Sequence, residues 1–188
     1  ELIPLIDFFR IALVVHVNLS VLIWLLSMAG MLWSLGSGID RPVWDRVSFF
    51  LAAAGTAVVI ISPFIGAADP LMNNYVPLLR HPVFYAGLIL FSAGIASHLV
   101  RSLVSIRRPV TGLGGNAALQ LGIALGALVT AVAIGALIAS WAGIPGGMAG
   151  EVYYEFLFWG NGHVLQFTHT LLMMVAWILL ASVSGCRY

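Results

Sequence analysis

Two histidines have the type and setting to do chemistry. His16 lies within the apolar run Phe8–Leu35, and His163 within Val152–Val183, in the stretch EVYYEFLFWGNGHVLQFTHT from Glu151 to Thr170. An imidazole inside a bilayer is costly unless it has a partner, so each is either a ligand to haem iron or another metal, or a hydrogen-bond partner of a neighbouring helix. Gly160 and Gly162 flank His163 closely, and their missing side chains would let a bulky planar group approach the backbone. At ~100° per residue, Gln166, Phe167 and Thr170 share the His163 face, whereas His169 is turned ~120° away and is excluded from the same ion. Trp159, one turn earlier, is placed to wall such a site.

These side chains need a membrane-embedded scaffold. The 188 residues are 61% hydrophobic and 8% charged, with a mean hydropathy of +1.05, where an ordinary soluble domain is about a quarter charged. The expected fold class is all-α, an integral membrane bundle surrounded by lipid. Five apolar runs, Phe8–Leu35, Trp44–Ile65, Val83–Val104, Asn116–Ala142 and Val152–Val183, each reach the ~20 residues a spanning helix needs. The breaks between them are rich in Gly, Pro or charge, as in GSGIDRP, GAADPLMNNYVPLLRHP, SIRRPVTGLGG and GIPGGMAG. A net charge of +1 without a basic tract gives no reason to expect nucleic acid as a partner. Cys186 is the single cysteine and has no internal partner. Glu1 opens the sequence with no basic stretch before the first apolar run, so the chain is expected to be processed or a segment of something longer.

Arginines supply the orientation. Arg41, Arg46, Arg101, Arg107, Arg108 and Arg187 fall on one side, Arg10 and Arg80 on the other, so the positive-inside rule puts the N-terminus outside and the C-terminus inside. Helices 1 and 5 then both run inward, with His16 and His163 at similar depth in the outer half. That is an arrangement axial ligation of haem, or a metal near haem, would require. His81, before Pro82, reads as a solvated or capping residue, and His98, one turn before Arg101, as an interfacial or helix-packing one. Gly122 with Gly126, and Gly87 with Gly94, read as close-packing devices; Trp33 and Trp141 read as interface anchors. Asp7, Glu151 and Glu155 suit the outer helix ends, and no carboxylate is expected in the deep interior.

Helix 1, FFRIALVVHVNLSVLIWLL, resembles the second helix of the haem-copper oxidase superfamily, particularly the branch of cbb3-type oxidases and bacterial nitric oxide reductases. The matching residues are His16, Asn18, Leu19 and Trp24. Helix 5, with LFWGNGHVLQF, resembles the superfamily's sixth helix at His163. The resemblance implies that His16 is an axial ligand of a low-spin haem, with a b-type haem expected. It also implies that His163 ligates the copper, or in the reductases the non-haem iron, beside a high-spin haem. It implies a cytochrome c oxidase-like subunit I in a bacterial inner membrane that takes electrons from a donor cytochrome or other oxidase subunits and reduces dioxygen to water. The alternative substrate is nitric oxide. Val164 and Phe167 stand where many oxidases have the Pro and the crosslinked Tyr of His-Pro-Glu-Val-Tyr, and Phe167 also replaces the glutamate of the reductases. The superfamily's further ligands lie on later helices, so residues 1–188 would be a single helical domain within a subunit of twelve or more helices. A haem-free structural or transport protein, with both histidines as interhelical hydrogen-bond partners, is the rival reading.

Overall fold

A computed structural model describes residues 5–36, 42–66, 69–105 and 115–185. Five helical spans are long and apolar enough to cross a membrane: Phe8–Leu35, Pro42–Phe64, Pro82–Ser105, Ala117–Gly143 and Gly150–Val183. They agree with the apolar runs to within a few residues, because length and hydropathy alone set them. Arg41, Arg107, Arg108, Arg187 and Cys186 lie outside the described residues.

The first span is not one regular α-helix. It comprises α1 (Leu5–Val17), a π-helical stretch Asn18–Ile23, and α2 (Trp24–Gly36). Two side chains account for the change of pitch. The Asn18 amide donates to the Val14 carbonyl at 2.9 Å and the Ser20 hydroxyl to the His16 carbonyl at 2.7 Å. Such bonds to the carbonyl four residues back compete with the backbone ladder and widen it.

The second span is α3 (Pro42–Ile61), extended by a 3₁₀ turn Ser62–Phe64. It lies tightly along α4 (Pro82–Ser105). A Cβ on Gly55 would fall 2.2 Å from the Phe91 nitrogen, and one on Gly94 2.6 Å from the Ala52 nitrogen, so the two backbones touch where only glycine fits. The second close pair is α5 (Gly115–Gly143) with α6 (Gly150–Val183). Gly122 and Gly126 face Val175 and Leu172, as the glycine spacing predicts. Polar bonds join them: Thr130 and Thr168 hydroxyls meet at 3.0 Å, and the Asn161 amide donates to the Ala133 carbonyl at 2.9 Å. All three side chains are buried, and each thereby gains the partner that apolar surroundings demand.

The α3–α4 connection is more than a surface loop. It holds a short antiparallel ladder, β1 (Pro70–Leu71) with β2 (Leu78–Leu79). Leu71, Val76, Leu78 and Leu79 are all buried, so the loop is itself part of the core. Trp33 likewise departs from expectation. It is fully buried rather than an interface anchor, while Trp141 is exposed near the end of α5.

Candidate functional site

The site is built where the α3–α4 loop crosses the ends of α1 and α6. Asn73 folds the loop, its side-chain oxygen accepting from the backbone nitrogens of Tyr75 at 3.0 Å and Val76 at 2.8 Å. Arg80 pairs with Asp69 across the base of the ladder. Glu155 of α6 accepts from the Asn74 backbone nitrogen at 3.1 Å and its side-chain amide at 2.7 Å. On the other flank, Asn18 of the first span donates to the Pro77 carbonyl at 2.7 Å. The loop is therefore fixed to both helices.

This fixed loop delivers Tyr75 to His163. The phenol oxygen lies 2.9 Å from Nδ1 and 3.3 Å from Nε2, with ring centroids 5.2 Å apart. His163 Nδ1 also lies 2.8 Å from the Trp159 carbonyl, and the Trp159 ring stands 4.5 Å away, centroid to centroid. A carbonyl can only accept, so Nδ1 carries the proton and Nε2 keeps its lone pair, toward which the Tyr75 hydroxyl at 3.3 Å can donate. That is the tautomer of an imidazole that ligates a metal through Nε2. Gly162 is what admits the tyrosine: a Cβ there would sit 2.1 Å from the Tyr75 ring. The room expected beside His163 for a planar group is occupied by the chain's own side chain. Gly160, by contrast, packs toward Ala136 and Ser140 of α5.

His16 has different surroundings. Its side chain is exposed on the first span, two residues before the π-helical stretch, ~12 Å along the helix from Phe8. Loop residues Tyr75 and Pro77 contact His163 and Asn18 respectively. The Tyr75–Pro77 segment therefore links His163 to Asn18, two residues along the first span from His16. Gln166, Phe167 and Thr170 are exposed on α6, with Thr170 donating to the Gln166 carbonyl. Among the described residues no three His, Cys, Asp or Glu side chains gather where they could hold a metal ion. Each histidine suits a haem or metal ligand by donor type, and the other ligands of either centre would have to come from outside the described residues.

His81 and His98 serve local structure. His81 Nδ1 accepts from the Val83 nitrogen at 3.3 Å, capping the start of α4 as one of its expected roles. His98 Nε2 donates to the Gly30 carbonyl at 2.8 Å, linking α4 to α2. His169 is half-buried, on a different face from His163. Sequence reasoning missed Tyr75, whose only local signal is the turn-forming NNY that precedes Val76. It also missed Asp45, which pairs with Arg101 at 2.7 Å.

Comparison with known proteins finds two uncharacterised relatives. One, from Rickettsia prowazekii (strain Madrid E), is 30% identical over 198 residues, covering 92% of this chain and 38% of the relative. The other, from Aquifex aeolicus (strain VF5), is 28% identical over 179 residues, covering 92% of this chain and 43% of the relative. The chain thus spans about two fifths of the length of the curated relatives it matches. No protein-family model matches it, and no solved structure does.

Proposed function

We propose that this chain forms the second-to-sixth-helix portion of a haem-copper oxidase-like catalytic subunit in a bacterial inner membrane, oriented with its N-terminus outside. On this reading the intact subunit takes electrons from a donor cytochrome or partner oxidase subunit and reduces dioxygen to water. What supports it is that the loop bonded to His163 through Tyr75 is bonded through Pro77 to Asn18, two residues from His16 in the first span. Neither imidazole is enclosed by the described helices: His16 is exposed and His163 is half-buried beside exposed Trp159. A polar side chain within a spanning helix is expensive against lipid, so its face calls for a cover. The relatives are more than twice as long as the matched region, which leaves ample chain to provide one.

His16 would hold a low-spin haem from one side, and His163 would present Nε2 to a copper. When bound, these centres supply electron storage and dioxygen activation. The protein's own part is orientation. The Trp159 carbonyl fixes the proton on His163 Nδ1, Tyr75 restrains the ring from the loop side, and Asn18 sets the height of the loop relative to His16.

A second reading draws on the same site. His163 already has two hydrogen-bond partners, so it would serve as a strap for the loop in a haem-free structural or transport protein. A reduced-minus-oxidised spectrum and metal analysis of the full-length protein separate the two. The oxidase reading expects low- and high-spin haem signals with about one copper per two irons. Iron in place of copper would shift the substrate to nitric oxide, and absence of both metals would leave the structural reading.

A further inference from the structure

The α3 and α4 helices run antiparallel, since Trp44 meets Ser97 and Gly55 meets Phe91, so Pro42 and Ser105 lie at the same end of the bundle, opposite the loop. A groove of 520 Å³ opens there, lined by Pro42, Val43, Trp44, Val47 and Ser97. Its floor is held in place: the Trp44 indole donates to the Ser97 hydroxyl at 2.8 Å and to the Ser97 carbonyl at 3.1 Å. Its apolar wall opens outward, with Val43 73% and Val47 50% exposed on a spanning helix. Val100 and Val104, one and two turns beyond Ser97 on α4, carry exposed apolar surface on toward the same end. Within a bilayer such a surface takes a hydrocarbon chain.

Arg46 stands on the flank of this groove, next to Val47 and one turn from Val43, ~6 Å along the helix from Pro42. Its side chain is exposed, and no carboxylate among the described residues lies within ion-pair reach of it. Asp45, the neighbouring acid, is taken up by Arg101 at 2.7 Å and lines a separate cleft between α2, α3 and α4. An arginine one turn inside a span reaches up to the head groups, where a phosphate offers two oxygens to its planar fork. In the sequence Arg41 precedes α3, and Arg107 and Arg108 follow α4, so arginines outnumber acids by five to two at these two helix ends. We propose that the groove is a site for an anionic phospholipid of the surrounding bilayer, with one acyl chain against Val43 and Val47 and the phosphate on Arg46. A zwitterionic lipid brings the same chain and phosphate, but its cationic head meets the surplus of arginines and binds less well. The site needs neither His16 nor His163 and so stands apart from the haem reading.

The test uses the full-length protein in phosphatidylcholine nanodiscs doped with phosphatidylglycerol that carries a photoactivatable diazirine on one acyl chain, or with phosphatidylcholine that carries the same chain. The expected result is labelling of residues 43–47 and 100–104, about fivefold stronger from the phosphatidylglycerol. Arg46→Gln, an exposed substitution that keeps the groove, should bring the two lipids level. Arg10→Gln, which removes the same charge at the other end of the bundle, should leave the preference intact. Val47→Trp, which fills the groove from an exposed position, should cut labelling by both lipids. Equal labelling by both lipids, a preference that survives Arg46→Gln or falls as much with Arg10→Gln, labelling unchanged by Val47→Trp, or no labelling because a further helix or a second copy covers the groove would each overturn the proposal. A full-length protein without haem that still selects phosphatidylglycerol would sink the oxidase reading and leave this one standing.

Discussion

The two ends of this bundle are held by different kinds of bond. At the loop end, side chains grip backbone atoms of a connecting segment: Asn18 on the Pro77 carbonyl, Asn73 on the Tyr75 and Val76 nitrogens, and the Glu155 carboxylate on the Asn74 nitrogen. At the opposite end, helices bind helices through side chains. Asp45 meets Arg101, and the Trp44 indole and Ser48 hydroxyl both donate to the Ser97 hydroxyl, at 2.8 and 2.9 Å. The first arrangement sets the position of an irregular segment against His163, and the second locks α3 and α4 around a cleft. A site that must place an aromatic side chain to within hydrogen-bond reach uses many short, directional bonds. The end that must hold two helices in register uses charge and packing.

The contrast predicts a ranking of effects. Arg101→Ala should cost most, because it strands Asp45 beside His98 in a partly buried setting. Loss of a buried pair costs about 3–5 kcal/mol, and the lower figure applies because the Asp45 side chain is 32% exposed. Thermal unfolding in detergent would show it, and an unchanged midpoint would mean that Arg101 is held elsewhere. Asn18→Ala comes next, at about 1–3 kcal/mol, since the buried Pro77 carbonyl loses its donor. Hydrogen exchange in this variant should rise over residues 69–81 before it rises in α3 or α4; uniform exchange would erase the distinction between the two ends.

Two smaller substitutions sharpen the loop end. Gly162→Ala should eject the Tyr75 ring, because the added Cβ would lie 2.1 Å from it. Tyr75→Phe should keep the ring in place and remove only the phenol bond to His163, costing about 1 kcal/mol. Limited proteolysis in the loop should therefore accelerate in the alanine variant and hardly change in the phenylalanine one. The smallest effect belongs to the α5–α6 pair, where Thr168→Val removes an interhelical hydroxyl bond worth about 0.6 kcal/mol on the scale of membrane proteins. An unfolding shift as large as that of Arg101→Ala would contradict the account.

Much of the scaffold is readable from residue order because it depends on local quantities. Hydropathy over ~20 residues places five spans, the glycine spacing of Gly122 and Gly126 marks the face that meets α6, and His81 before Pro82 marks a cap. What escapes such reading depends on residues far apart in the chain. Tyr75 reaches His163 across 88 positions, and only the folded loop shows that the bare backbone of Gly162 is its seat. Asp45 looks like a helix-start acid until α4 brings Arg101 to it. The same reasoning misplaced Trp33, because its position near a helix end suggests an interface while the neighbouring helices bury it completely. The π-helical stretch is intermediate. Its causes, Asn18 and Ser20, are visible in the sequence, but their choice of the carbonyl four residues back is not.

The proposed function rests on His16 as a haem ligand, and His16→Ala tests that role with little risk to the fold, since the side chain is exposed on the described bundle. The decisive measurement is the reduced-minus-oxidised absorption spectrum of the full-length variant, taken alongside its copper content and the same data for the unaltered protein. If His16 holds the low-spin haem, its signal disappears in the variant while copper stays at its unaltered level. A low-spin signal that survives the substitution, or an unaltered protein with no haem at all, would contradict it.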